Sequence, residues 1–209
     1  MHTFTHQGTV FSDNIENRKS LNTPYGMTKH MVGVANIHTP KTLPKYIGQS
    51  EILAMLNTAK KKSYRDYILL LIMSRTGIRV SELVNIRKRD IDDGKLIVRQ
   101  GKGKKDRLVP LEDELNTILG LFMDQLGPRD KLFKLTDRSV RNIVYKYAPD
   151  GFDVHPHTLR HSFAVHCLKS GMNIRTLQKI LGHGSLTTTQ VYLDVIGADV
   201  ADDFKKVVW

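Results

Sequence analysis

The chain has 209 residues, 40% hydrophobic and 25% charged, a composition that excludes a disordered or fibrous protein and suffices for a core without staples. Its 32 lysines and arginines against 21 acidic residues leave a net charge of +11, so a polyanionic partner is expected, either nucleic acid or an anionic membrane. A single cysteine, Cys167, excludes an internal disulfide framework, and no apolar run approaches the about 18 residues of a membrane span.

Met1–Gln7 has neither a basic n-region nor an apolar h-region, so no secretory signal is visible. The expectation is a basic, cytoplasmic protein. Residues 1–43 hold Gly8, Asn14, Asn17, Pro24, Gly26 and Pro40 with no sustained apolar period. Such a segment buries too little to offset its ordering entropy, and reads as a flexible basic arm or linker. Most of the charge surplus belongs to the rest of the chain, since the first fifty residues hold only five lysines and arginines against two acids.

From residue 44 to 209 the pattern is that of one folded domain. Gly48-Gln49-Ser50-Glu51 starts a helix through Ile52, Leu53 and Leu56. Lys60-Lys61-Lys62 separates it from Arg65–Ser74, which is apolar nearly all round and reads as a buried central helix. Thr76-Gly77 ends that helix, and Ser81–Ile86 opens a short one. The period then shifts from 3.6 towards 2. Asp92–Lys95 is a turn, Leu96–Arg99 a strand, Gly101–Lys105 a second turn and Arg107–Leu111 the returning strand, with Asp90-Ile91 available as a third. Helices are expected again over Glu112–Leu126, Ser139–Tyr147, Thr158–Ser170, Ile174–Leu181, Thr187–Tyr192 and about 198–208. The fold class is α+β: a mostly helical domain carrying one small antiparallel sheet.

Four places hold polar residues that packing does not demand. Arg79 follows the Thr76-Gly77 break, with Glu82 three residues on, where an i,i+3 pair can orient the guanidinium. Alone, such an arginine would be a surface residue. Lys102, Lys104, Lys105 and Arg107 cluster at the hairpin turn, which fits either a solvated hairpin or a basic finger following a phosphate backbone. His157 and Arg160 share a helical face behind Pro156, at a helix start suited to an anion. Leu181-Gly182-His183 puts a further histidine on a glycine turn, ahead of Tyr192.

In order and spacing these blocks resemble the tyrosine recombinases, the family of phage integrases and Xer-type resolvases. The matching stretches are Thr76-Gly77-Ile78-Arg79-Val80-Ser81-Glu82-Leu83, Gly101–Leu111, His157-Thr158-Leu159-Arg160-His161-Ser162-Phe163-Ala164, and Leu181-Gly182-His183 through Tyr192. The resemblance covers about residues 44–195. It implies that Arg79 and Arg160 clamp a phosphate, that Lys102 is the hairpin lysine, that His157 and His183 are the two site histidines, and that Tyr192 is the nucleophile. It also implies a duplex DNA partner, strand exchange through a 3′-phosphotyrosyl link, and no metal or other cofactor. Glu82 is then a supporting partner of Arg79, while Lys104, Lys105 and Arg107 are expected on DNA.

The residues suit that chemistry. A tyrosine pKa of about 10 leaves roughly a thousandth ionised at pH 7, so Tyr192 needs a base or a positive field. Guanidinium forks match the oxygens of a phosphorane-like transition state in a way lysines do not. Lys102 is the candidate acid for the leaving 5′ oxygen. His157 fits either the tyrosine or the phosphate.

Three rival readings use the same residues. His157 and His161 stand at i,i+4 as zinc ligands can, with His155, His166 and Cys167 nearby, but no paired-cysteine or His-Glu-x-x-His spacing accompanies them. His161, His166 and Cys167 are therefore expected in packing. The other rivals are a DNA-binding relic that no longer cuts and a topoisomerase-like strand relaxer. Members of the family usually carry a separate helical domain before the catalytic one, for which residues 1–43 are too few and too polar. In the C-terminal helix, Val200, Phe204, Val207 and Val208 form an apolar stripe that would dock on its own body or, as the resemblance suggests, on a neighbouring protomer.

Overall fold

A computed structural model describes residues 45–99 and 106–183 together with 189, 191 and 192. The arm expected over 1–43, Lys102, Lys104 and Lys105, and the helix expected over 198–208 lie outside the described residues.

Helix α1 spans Gln49–Lys62 and α2 spans Tyr64–Thr76. Lys60, Lys61 and Lys62 do not form the expected separator between the two helices. They make up the last turn of α1, where positive charge suits the carbonyl end of the helix dipole. The break is the single residue Ser63, whose hydroxyl accepts a 3.3 Å hydrogen bond from the Asp66 N–H and caps α2. Ile68 to Met73 of α2 are all buried, because α1 and the later helices over Asp113–Phe122 and Pro156–Lys169 cover it. Its polar residues find partners within that core. Tyr147 donates to buried Asp66 at 3.0 Å, and the Thr76 hydroxyl donates back to the Ile72 carbonyl at 2.6 Å.

After the short helix α3, Val80–Leu83, come the strands β1 (Ile91–Asp92), β2 (Lys95–Val98) and β3 (Arg107–Pro110). They form one antiparallel sheet in the order β1-β2-β3, with Leu96 opposite Val109 and Val98 opposite Arg107. Among the described residues four further helices follow: α4 (Asp113–Phe122), α5 (Asp137–Tyr147), α6 (Pro156–Lys169) and α7 (Ile174–Leu181). Helix α4 stops short of the expected Leu126 because the chain turns at Met123, where the Leu126 N–H closes onto the Met123 carbonyl at 2.9 Å. Thr136 and Asn173 cap α5 and α7 through their side-chain oxygens.

One large core joins α1, α2, the sheet, α4 and α5. A smaller one lies between α6 and α7, built from Ala164, Val165, Leu168, Leu177 and Leu181, with Tyr192 inside it. This is the expected mostly helical α+β domain with a small antiparallel sheet. Among the described residues, no helix is long and apolar enough to cross a membrane.

Candidate active site

The site is assembled from turns that leave the central helices. Helix α2 ends at Gly77 in the left-handed region, at φ 61°. A Cβ there would sit 2.4 Å from the Phe163 ring, so both the backbone and the packing require glycine. The turn delivers Arg79 to the start of α3. Glu82 closes back on it twice: Oε2 accepts from the Arg79 backbone N–H at 2.8 Å, and Oε1 accepts from Nη1 at 2.9 Å. The other arm of Arg79 reaches the Gly182 carbonyl at 3.5 Å.

Arg107 departs from its expected place. It is not on a DNA-facing hairpin tip. It opens β3 with its side chain inward, 9% exposed, while the next residue, Leu108, is 51% exposed. Both guanidinium arms donate to Glu82 at 2.7 Å, and Nε donates to the Ile180 carbonyl at 2.7 Å. The cause is strand alternation: Arg107 and Val109 share the buried face of β3. Arg107 thus ties the sheet to α3 and to the end of α7.

Helix α6 carries His157 and Arg160. Pro156 occupies its first turn, and the Thr158 hydroxyl accepts from the His155 N–H at 3.1 Å, which fixes the helix start. Arg160 is buried, with Nη1 on the Gly77 carbonyl at 2.5 Å and Nη2 on the Leu181 carbonyl at 2.7 Å. The ends of α2 and α7 therefore set the plane of its guanidinium. His183 comes directly after the left-handed Gly182, and its Nδ1 pairs with the Thr189 hydroxyl at 3.0 Å.

Tyr192 is 2% exposed, and its hydroxyl lies 2.8 Å from Nδ1 of His161. His161 is the other departure from the sequence expectation, which placed it in packing. Its ring lies 5.6 Å from that of Tyr192 and 6.3 Å from that of His157, one helical turn away. Thr189 and His161 were both missed as site residues. The i,i+4 spacing from His157 was the available signal for His161; Thr189 had none.

Electrostatics follow from three guanidiniums meeting one carboxylate. Burial opposes charge on Glu82, but the Arg107 hydrogen bonds, the Arg79 N–H and both cations outweigh it and hold the carboxyl at about 2. Burial lowers Arg160 to about 10, with Arg79 and Arg107 adding repulsion, so it remains charged at neutral pH. Burial and then Arg160, Arg79 and Arg107 lower His183 to about 4. Burial, then Arg160, Arg141 and Arg79, lower His157, and His161 is lowered by burial, His157 and Arg160. Burial raises the Tyr192 phenol, against the pull of Arg160 and Arg79. The result is neutral imidazoles beside a net positive field, since Arg79, Arg107, Arg160 and Arg141 outnumber Glu82 and the cleft-lining Asp137.

That field opens to solvent through a cleft of ≈ 320 Å³ whose walls include Arg79, Ser81, Arg141, Tyr145, His157 and Arg160. It suits an anion with several oxygens. Among the described residues, no three His, Cys, Asp or Glu side chains are grouped as metal ligands. Burial pushes the Cys167 thiol up to about 11, which makes it an unreactive one.

The fold is that of a tyrosine-recombinase catalytic domain. Residues 45–197 match the phage integrase family, and the chain belongs to that family. A tyrosine recombinase of Pseudothermotoga lettingae is 40% identical over 187 residues, covering 84% of this chain and 65% of that protein. Tyrosine recombinase XerA of Pyrococcus furiosus is 37% identical over 183 residues, covering 81% and 64%. The chain thus spans just under two thirds of the length of these relatives. Among solved structures, a XerA recombinase superposes with a TM-score of 0.69 at 30% identity, over 81% of this chain and 68% of that one. The catalytic domain of bacteriophage HP1 integrase gives 0.62 at 27% identity, over 78% of this chain and 95% of that one.

Proposed function

We propose that this chain is the catalytic part of a site-specific DNA recombinase that breaks and rejoins strands through a 3′-phosphotyrosyl intermediate on Tyr192. The observation that carries this reading is the pairing of a net cationic cleft, lined by Arg79, Arg141 and Arg160, with a buried tyrosine whose hydroxyl is already held by an imidazole.

In this reading the scissile phosphate enters the cleft and takes hydrogen bonds from Arg79 and Arg160. Arg160 is held by two backbone carbonyls, so its donors need no reorganisation as charge grows on the phosphoryl oxygens. His183 is assigned to the same phosphate as a further donor through Nε2, with the Thr189 hydroxyl donating to Nδ1 in this reading. His157 lines the cleft beside Arg160 and is assigned to the phosphate. Glu82 and Arg107 hold Arg79 in place. Lys102, by resemblance, protonates the leaving 5′ oxygen, and Lys104 and Lys105 track the DNA backbone. The arginines supply the positive charge, and the bond is exchanged, not hydrolysed, so the scheme uses no metal and no nucleotide.

Residues 1–43 are assigned as a basic arm and 44–209 as the catalytic domain. The DNA-bound state is proposed to be oligomeric, with the apolar stripe of 198–208 entering a groove on a second copy. The acceptor proposed for it is a groove of ≈ 630 Å³ between α1, the end of α2 and α6, whose walls include Ile52, Leu53, Leu56, Phe163 and Met172 together with Arg75 and Glu112.

Covalent trapping tests the reading. The protein is incubated with a pool of nicked duplexes whose cut strand diffuses away, with chelator present, and run on a denaturing gel. An adduct lost in Tyr192→Phe supports it. Salt-sensitive binding without an adduct favours a DNA-binding relic instead, and supercoil relaxation without strand exchange favours a topoisomerase-like enzyme.

A further inference from the structure

We propose that His161 is a catalytic residue, the proton acceptor for the Tyr192 hydroxyl, and that His157 is not. The proposal rests on the recombinase reading and adds to it the identity of the base.

The geometry separates the two histidines. His157 lines the solvent-open cleft with Arg79 and Arg160. His161, one turn further along α6, is turned into the smaller core, where Nδ1 meets the Tyr192 hydroxyl at 2.8 Å, within direct proton-transfer reach. Three elements fix that contact. Helix α6 holds the imidazole, Val165, Leu168, Leu177 and Leu181 enclose the phenol, and Thr189, three residues before Tyr192, is tied to His183.

Among the described residues, the charged and titratable groups that face His161 are His157 and Arg160 on its own helix, Tyr192, and His183 from the turn after α7. Burial, and then all of these but the phenol, disfavour a positive charge on the imidazole while the cleft is empty, so it is neutral, and the proposal puts its proton on Nε2 with Nδ1 accepting from the phenol. When an anionic phosphodiester enters the cleft, it offsets the repulsion from Arg160 and makes a protonated His161 easier to form. Substrate binding therefore strengthens the base at the moment it is needed.

The step balances. Tyr192 Oη bonds to phosphorus as its proton passes to Nδ1 of His161. The bond from phosphorus to the 5′ oxygen breaks, and that oxygen takes the proton assigned to Lys102. Rejoining runs both transfers backwards, with His161 returning its proton to the phenol.

The test has two arms on the full 209-residue chain. In the first, imidazole 15N spectra of the free protein are read at neutral pH. An unprotonated, hydrogen-bonded Nδ1 with the proton on Nε2, shifted by Tyr192→Phe, is expected. A proton on Nδ1, donated to the phenol oxygen, overturns the proposal without any DNA being added. In the second, the rate of adduct formation on the nicked-duplex pool is followed from pH 6 to 10. His161→Asn keeps an acceptor near the Nδ1 position but cannot take up a proton. The expected result is a loss on the order of 10²-fold near pH 7 that shrinks as pH rises and the phenol ionises unaided. DNA affinity should be unchanged. A 5′-bridging sulfur leaving group should rescue Lys102→Ala and leave the His161→Asn defect in place, since sulfur departs without a proton. A rate within twofold of the parent, or a loss equal at every pH, overturns the proposal. If the parent chain forms no adduct, the recombinase reading fails, while the 15N result still reports on the pair.

Discussion

Arg107 grips the carboxylate of Glu82 with both arms of its guanidinium, each at 2.7 Å, and the same carboxylate holds Arg79 from the other side. A single anion therefore sets the position of two cations, only one of which lines the cleft. The arrangement engages the donors of Arg107 within the protein, so a supporting role for Arg79 and no phosphate contact is expected of it.

Replacing Arg107 by Ala should strip Glu82 of its principal partner inside the protein. Breaking a buried pair from one side costs about 3–5 kcal/mol, so a clear drop in melting temperature is expected. The adduct-forming rate should fall too, because Arg79 loses its brace. The salt dependence of DNA binding should stay unchanged. A slope reduced by about one unit would instead mark a phosphate contact and restore the surface role.

Much of this architecture was legible in the residue pattern, and the failures have physical causes. The sheet could be read from turn residues flanking Leu96–Val98 and Arg107–Leu111, and the central helix from the unbroken apolar run Tyr67–Met73. Arg107 was misplaced because Lys104-Lys105-Asp106-Arg107 reads as one charged tip. The alternation with Val109, which points the guanidinium inward, was present but outweighed by the charge run. The bond from Tyr147 to Asp66 joins residues 81 positions apart, and local periodicity has no access to such a pairing. His161 read as packing because one imidazole on a helix face carries no label. Only the return of Tyr192 onto α6 gives it a partner.

Gly77 should tolerate no side chain. Its φ of 61° disfavours any L-residue, and the Phe163 ring stands 2.4 Å from where a Cβ would go. Gly77→Ala is expected to destabilise the protein by at least about 1 kcal/mol in denaturant unfolding. The Gly77 carbonyl also holds Arg160, so activity should fall further than the stability loss explains. A variant of parent stability would show that the α2 end can relax away from Phe163.

The free protein should lose stability on acidification in two overlapping stages. His183 has a folded pKa of about 4 against an ordinary 6.5, so the unfolded chain binds the extra proton first. Stability then declines as pH falls through 6.5 and this contribution levels off below about 4. Glu82, held at about 2 against 4.5, adds a loss that begins near 4.5 and runs down towards 2. Both act in the same direction. Melting temperature measured from pH 8 to 3 should fall throughout the lower range, and His183→Asn should make the stage below 6.5 shallower, leaving the part that the lowered His157, His161 and His166 contribute. An unaltered slope in that variant would mean His183 is not the group that titrates.

Arg160→Lys tests whether fork geometry or charge alone matters. The guanidinium bonds two carbonyls at once, those of Gly77 and Leu181, which lie at the ends of different helices. A lysine ammonium is a single point charge that cannot span both and still face the phosphate along a fixed plane. Adduct formation should drop on the order of 10²–10³-fold, the usual effect of losing one oriented transition-state donor. DNA affinity should change little, because the charge is kept. A rate within about threefold of the parent would mean that positive charge in the cleft is sufficient and that the two carbonyl tethers serve folding alone.

Assembly should depend on the groove between α1 and α6. Leu53 lines it and is 51% exposed, so Leu53→Asp places a charge in an apolar wall at little cost to folding. On duplex DNA, gel-shift bands of higher order should weaken while the first-bound species keeps its affinity. Removing residues 197–209 should do the same if that segment of one copy enters the groove of another. Mixing the two variants then discriminates between modes. The truncated chain retains an intact groove and Leu53→Asp retains an intact tail, so one heterologous contact between them is still possible, and dimeric complexes should return while longer assemblies stay absent. If each variant assembles normally on DNA, the groove is not the acceptor. If the mixture restores nothing although each variant binds singly, the tail docks on its own body.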